Sequence, residues 1–347
     1  INWVQMRNEY KPKVAHVANP YEFTELLSEM LGELNVSHAG AGFSDDSDNG
    51  DDTASLGIFY DYTHKGDGVK ITEVINGGPL DKAKFDVKAG MLILKIDGET
   101  ITDSIDWPVL LNRKVNKFTL LEILDNTTGK TKQITVKPIS DSQQSELLYD
   151  RFVKINEQEV FEKSKGKLGY VHIPGMGDGP YRSIYNDMMG RFYDKDAMVI
   201  DTRFNGGGDL VADLAMFFTG ETFLTYAIEG KVVGGEPTSR YTKPVIALFN
   251  ESMYSDGHCY ASGFTDLKLG KSVGMPVPGT CSFAGWDSLP MGGYWGVVPV
   301  SAKNKKGEWL ENNEVAPDIE VKNQPGVIDA GRDQQLERAI KEMLQDL

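Results

Sequence analysis

Ala197-Met198-Val199-Ile200-Asp201-Thr202-Arg203-Phe204-Asn205-Gly206-Gly207-Gly208 is the stretch on which the fold turns. It opens with a continuous apolar run containing β-branched residues, the pattern of a strand covered on both faces. The three glycines end that strand in a turn, and helical spacing starts at Asp209. A second such run, Val245-Ile246-Ala247-Leu248-Phe249, leads through Asn250-Glu251-Ser252-Met253-Tyr254-Ser255-Asp256-Gly257 into another helical pattern. Leu168-Gly169-Tyr170-Val171-His172-Ile173-Pro174 is a further strand candidate, and Leu336, Ile340, Met343, Leu344 and Leu347 mark a terminal amphipathic helix after Gly331. Alternating strands and helices over 142–347 predict an α/β core.

The residues before this core have a different pattern. Asn19-Pro20 is an N-cap followed by proline at the first helical position, and Phe23, Leu26, Leu27, Met30, Leu31 and Leu34 recur on one face. The predicted helix ends at Asn35-Val36-Ser37-His38, and Ala39-Gly40-Ala41-Gly42 reads as a glycine-rich exit that leaves His38 uncovered. Asp45, Asp46, Asp48, Asp51 and Asp52 then form an acidic run, expected to be a solvated linker at a domain boundary. From Ser55 to about Ile139, short strands alternate with glycine turns, and Gly77-Gly78-Pro79-Leu80 is expected to open a short helix. Leu56-Gly57-Ile58-Phe59, the Gly-Pro-Leu start and Ala89-Gly90-Met91-Leu92-Ile93-Leu94-Lys95-Ile96-Asp97-Gly98 come in the order of a PDZ domain, which this segment resembles. Met91 departs from the aspartate usual there. The resemblance implies that the loop of Leu56, Gly57, Ile58 and Phe59 receives a C-terminal carboxylate or an added strand.

The chain is thus expected to be an α/β multidomain protein: a helical subdomain over 1–50, a PDZ-like β-rich domain over 51–141 and an α/β core over 142–347. Its 347 residues exceed what one core normally serves. Hydrophobic residues at 40% and charged residues at 25% exclude a wholly disordered or coiled-coil chain. Lys and Arg total 36 against 51 Asp and Glu, a formal net charge of −15, with no basic cluster to receive nucleic acid. The longest apolar runs fall far short of the roughly 18 residues of a membrane helix, so no membrane insertion is expected. Cys259 and Cys281 are too few for a disulfide scaffold and lack metal-ligand spacing; one bridge between them is possible but nothing in the sequence supports it. No metal or organic cofactor is implied. Ile1 rather than a methionine comes first, as in a processed product or a piece of a longer chain, and the compartment stays open.

Glycines at a helix start let backbone N–H groups approach an anion, although 205–208 lacks the lysine and Ser/Thr of a phosphate loop and is also compatible with a plain turn. Ser255, between a strand end and a helix start, has the placement of a nucleophile and equally that of a helix cap. If the two core strands are neighbours, amides of Gly208 and Asp256 lie side by side, able to face one developing oxyanion. A nucleophilic serine needs a base. Among the five histidines, His172, His258, His64 and His16 have ready structural readings, and His38 stands apart at a helix end beside Ser37.

The whole chain resembles the C-terminal half of the tricorn peptidases, relatives of the carboxyl-terminal processing peptidases. Glu33-Leu34-Asn35-Val36-Ser37-His38 resembles their catalytic Ser-His segment, while Asn205-Gly206-Gly207-Gly208 and Ser255-Asp256-Gly257 resemble the oxyanion and nucleophile turns. Trp309-Leu310-Glu311-Asn312-Asn313-Glu314-Val315-Ala316-Pro317-Asp318 resembles the segment with the catalytic glutamate. The resemblance implies a ClpP/crotonase-like core and a serine peptidase acting on peptides or unfolded polypeptide. It makes Ser255 the nucleophile, His38 the base, Ser37 the link and Glu311, rather than Glu314, the carboxylate. It places the oxyanion hole at Gly208 and Asp256. The processing peptidases pair their serine with a lysine; position 280 is threonine here, and Lys268 and Lys271 lie too close in sequence to serve. A homo-oligomer stays open, because tricorn assembles into rings. A peptide-binding protein without catalysis and a crotonase-like thioester enzyme are the rival readings.

Overall fold

The two continuous apolar runs become neighbouring parallel strands, Ala197–Asp201 and Val245–Phe249, and every residue of both is buried. In the computed structural model, which describes residues 1–44 and 50–347, they form the middle of a five-stranded sheet. Its order is Ile319–Glu320, Lys271–Gly274, Val245–Phe249, Ala197–Asp201 and Leu168–His172, all parallel. Parallel pairing needs crossovers that cover both faces, so side chains on each face are apolar or, like Asp201, paired. Helix Gln334–Asp346 supplies one cover, packing on Val245–Phe249 and Lys271–Gly274 through Leu336, Ile340 and Met343, while Leu344 is half-buried and Leu347 exposed. Asp333 caps it, accepting from the amides of Gln335 and Leu336 at 3.1 Å.

Contacts divide the chain into two compact units, Ile1–Asp45 with Asn156–Leu347, and Asp46–Ile155. In the larger unit the expected N-terminal helix forms as Pro20–Gly32, with Asn19 accepting from Glu22 N at 2.9 Å. The exit after His38 differs from the sequence expectation. Gly40–Gly42 is a strand, antiparallel to Tyr294–Ser301, which also pairs with Ser282–Ser288. Glycine permits that approach: a Cβ on Gly42 would stand 2.6 Å from the Tyr294 hydroxyl. Cys259 and Cys281, unsupported as a pair by sequence, form a disulfide, because helix Asp256–Asp266 and the segment leading into Ser282–Ser288 bring their Cα atoms to 5.0 Å.

The smaller unit is an antiparallel sheet in the order Ile58–Tyr60, Val69–Val74, Leu92–Ile96, Thr119–Asp125, Lys130–Val136, with Glu99–Thr100 alongside Leu92–Ile96. Leu56, Ile71, Ile93, Ile96, Leu121 and Ile123 fill its core. The short helix expected at Gly77-Gly78-Pro79-Leu80 is a run of turns instead, since Gly77 takes φ +81 and Gly78 N returns to Ile75 O at 3.0 Å. Leu56 and Ile58 face inward, Gly57 lies against Pro79 at φ +66, and Phe59 is exposed. Of the acidic run, Asp45, Asp46 and Asp48 lie outside the described residues, while Asp51 pairs with Arg113. Helix Asp141–Ser164 starts in this unit and ends in the larger one. No described helix is long and apolar enough to cross a membrane.

Candidate active site

The chain leaves the central strand Val245–Phe249 and turns sharply at Ser255, which adopts φ 54 and ψ −123. Side chains with a Cβ avoid this region, at a cost of about 1–3 kcal/mol, and it persists only where the surroundings enforce it. Here two turns are laced together. Tyr254 N donates to Asn205 O at 2.9 Å, Asn205 Oδ1 accepts from Gly207 N at 2.8 Å, and Asn205 Nδ2 donates to Ile173 O at 2.8 Å. Gly207, at φ +93, lies so close that a Cβ would come 2.5 Å from Ser255 Cβ. Ser255 makes no capping bond to its helix. Its amide donates to Thr280 Oγ1 at 2.9 Å.

The hydroxyl of Ser255 is 2.9 Å from His38 Nε2. From there the contacts continue: His38 Nδ1 to Ser37 Oγ at 2.7 Å, and Ser37 Oγ to Glu311 Oε2 at 3.1 Å. Ser37 N also donates to Glu311 Oε1 at 2.5 Å, and Ser282 Oγ donates to Oε2. A carboxylate only accepts, so the single proton of Ser37 goes to Glu311. His38 Nδ1–H must then donate to Ser37, which leaves the Nε2 lone pair facing the Ser255 hydroxyl. Burial lowers the His38 pKa against the opposing field of Glu311, which favours this unprotonated form at neutral pH.

Beside the hydroxyl, Met176 bridges to the glycine turn, donating to Gly207 O and accepting from Asp209 N, both at 2.8 Å. In a parallel bridge the intervening N–H, that of Gly208, points away from the pairing side. Asp256 N is the first amide of helix Asp256–Asp266 and so lacks an intrahelical partner. The Asp256 carboxylate, its pKa raised by burial, accepts from Leu210 N at 2.7 Å and Val211 N at 3.3 Å and fastens helix Val211–Thr219 to helix Asp256–Asp266. Below the turn, buried Arg203 bridges Asp201 at 2.6 Å and Asp333 at 2.7 Å. Burial alone would raise the Asp201 pKa; Arg203 outweighs it and holds the carboxyl low. Removing one partner from such a buried pair typically costs about 3–5 kcal/mol.

Ser255, His38, Ser37 and Glu311 therefore converge; Gly208 follows Gly207, which packs against Ser255, Asp256 follows Ser255, and Glu314 is exposed. Leu56, Gly57, Ile58 and Phe59 belong to the smaller unit, where the buried-then-exposed alternation of Ile58 and Phe59 is that of a half-covered strand. Three contributors escaped the sequence analysis. Tyr254 donates to Ser37 O at 3.0 Å with its ring 4.7 Å from that of His38. Thr280 and Ser282 hold Ser255 and Glu311. For Thr280 the one signal was its position, where the processing peptidases carry a lysine; nothing in the sequence marked Ser282. His258, read as structural, is buried and accepts from the amides of Thr280 and Cys281 at 3.0 Å each.

Residues 167–321 match the model described as peptidase family S41, and residues 1–32 match the tricorn protease C1 domain. The chain is 28% identical over 374 residues to the tricorn protease homolog of Saccharolobus solfataricus, covering 100% of this chain and 33% of that protein. It is 26% identical over 370 residues to the tricorn protease of Thermoplasma acidophilum, covering 98% of this chain and 32% of that one. The crystal structure of the tricorn protease aligns with 99% of this chain and 34% of its own, with a TM-score of 0.83 at 23% identity, and has the same mixed α/β fold. The chain spans about a third of the length of these relatives.

Proposed function

We propose that this chain, which belongs to the tricorn-type peptidases of family S41, is a serine peptidase that cleaves extended polypeptides or oligopeptides through an acyl-enzyme. The observation that carries this reading is the unbroken series of contacts from Ser255 Oγ through His38 and Ser37 to Glu311. Ser255 attacks the scissile carbonyl while His38 Nε2 takes its proton, and the amides of Gly208 and Asp256 receive the negative oxygen. The imidazolium is stabilised by Glu311 acting through Ser37, then returns its proton to the leaving amine. Water enters, again deprotonated by His38, and releases the acid product.

Three domains are read along the chain. The first, 1–50, carries the base; 51–141 is a PDZ domain whose Leu56-Gly57-Ile58-Phe59 loop receives peptide; 142–347 is a ClpP/crotonase-like core carrying the nucleophile. An active-site-directed fluorophosphonate tests the reading. Wild type should be labelled and should hydrolyse a quenched peptide library. Ser255→Ala should lose both, and His38→Ala should lose about 10⁴-fold or more in rate. Absence of labelling in the wild type, or equal labelling of Ser255→Ala, would leave a peptide-binding protein instead.

A further inference from the structure

We propose that Thr280, Cys281 and Ser282 form a strap that positions both ends of the catalytic relay, with Thr280 and Ser282 as positioning residues and His258 as its buried post. The inference rests on the serine-peptidase reading above. Three consecutive residues reach three different parts of the site. Thr280 Oγ1 accepts from the Ser255 amide at 2.9 Å, and the Ser282 hydroxyl donates to Glu311 Oε2. Between them Cys281 is covalently joined to Cys259 on the nucleophile helix. His258, on the same helix, takes the amides of Thr280 and Cys281 on its single Nδ1 lone pair, both at 3.0 Å.

Each contact answers a need of the chemistry. Ser255 sits at φ 54, a conformation that must be imposed from outside, and the bond from its amide to Thr280 is one of the restraints that impose it. Glu311 ends in a carboxylate whose terminal torsion is intrinsically broad, so orientation must come from its donors. Ser37 supplies two, its amide and its hydroxyl, but that hydroxyl must also serve His38. Ser282 is the donor that fixes Oε2 independently of the relay. The post is costly: with Nδ1 accepting, the ring proton sits on Nε2, which is buried with no acceptor among the described residues. Burial pushes the His258 pKa down to about 4, so the ring stays a neutral double acceptor over the working pH range. An orphaned donor persists in a native fold when the other ring atom does something needed.

The test uses Ser282→Ala, Ser282→Thr and Thr280→Val in the full chain, reading the fluorophosphonate labelling rate, kcat and KM on a quenched peptide, and the thermal midpoint. Ser282→Ala should lower labelling and kcat by about 10- to 100-fold with KM unchanged, the signature of an interaction used in the transition state. Ser282→Thr keeps the hydroxyl and should recover most of the rate. Thr280→Val keeps the shape, loses the acceptor and should lower kcat by about tenfold on the same criterion. Should Ser282→Ala fail to fold, the Thr280→Val result decides. A labelled wild type with both variants at wild-type rates, or Ser282→Thr as impaired as Ser282→Ala, overturns the strap while leaving the peptidase reading intact. A wild type that the probe never labels overturns both.

Discussion

Ser255 leaves a strand whose five residues are all buried, whereas His38 precedes the three-residue strand Gly40–Gly42, none of whose residues is buried. On the nucleophile side the sheet, the Arg203 ion pairs, the Asp256 cap and a disulfide converge on one turn. On the base side helix Pro20–Gly32 buries only Thr24 and Leu31, and the segment is fastened mainly by Glu311, Tyr254 and a short antiparallel ladder. Ser255, the proposed nucleophile, is therefore part of the fold, and His38, the proposed base, is an attachment to it. Damage near Ser255 should cost stability and activity together; damage near His38 should cost activity first.

The largest effect that can break this contrast comes from glycine. Gly207→Ala places a methyl 2.5 Å from Ser255 Cβ at a φ of +93, with backbone atoms of Tyr254 and Asp256 close behind. Labelling by a fluorophosphonate should fall at least about a hundredfold, and the urea-unfolding free energy should drop by about 1–3 kcal/mol. Gly40→Ala is the matching change on the base side. Its methyl meets only Ser28 Oγ at 3.4 Å, ordinary contact, and both readouts should stay near wild type. Equal losses from the two would erase the distinction.

Acidification separates the sides through their histidines. Burial lowers the pKa of both, against the field of Glu311 in each case, and His258 falls to about 4. A group whose folded pKa is depressed contributes stability that is complete above its unfolded value and is lost as pH falls through its folded value. For His258 that window runs from the ordinary 6.5 down to about 4, worth about 3 kcal/mol. Activity should fail while the fold remains, because His38, the proposed base, is only partly buried and protonates before the fully buried His258: labelling should hold at pH 6.5, then drop about tenfold per unit below the His38 pKa. Ring-proton NMR shifts followed against pH check the order. His258 titrating together with His38, or above it, would refute it.

The same contrast explains what could be read without coordinates. Val199, Ile200, Ile246 and Leu248 announce buried strands because a sheet covered on both faces leaves few polar positions, and those, like Asp201, must be paired. The turns after those strands, and so the neighbourhood of Gly207 and Ser255, follow from their pairing. Pattern set His38 apart from the other histidines but went no further, and only resemblance joined Ser37 to Glu311: they are 274 residues apart, and no local periodicity reports a contact of that span. Gly40–Gly42 read as an open exit because its strand is specified by its partner, where Tyr294 needs the space a side chain would take. Gly77 and Gly78 resembled a helix start and instead made turns, since positive φ at Gly77 is invisible in composition. The disulfide was hidden because its 22-residue separation says nothing about which helix and strand will meet.

Tyr254 sharpens the comparison on the finest scale, because it leaves the nucleophile turn and ends on the base segment. Its hydroxyl donates to Ser37 O at 3.0 Å and its ring stacks at a tilt of 32° against His38. Tyr254→Phe keeps the ring and removes only the donor. A hydrogen bond of this kind is worth about 0.5–1.5 kcal/mol net, and at this half-exposed position the lower half of that range applies. The expected result is a fall in kcat of about two- to fivefold with unchanged KM and unchanged thermal midpoint, since the Ser37 carbonyl can turn to water while the imidazole loses some restraint. Tyr254→Ala should go further, because the stacked ring also goes. If Tyr254→Phe lowers the thermal midpoint by several degrees, the Tyr254–Ser37 bond belongs to the fold, and the base side is anchored more firmly than its short strand implies.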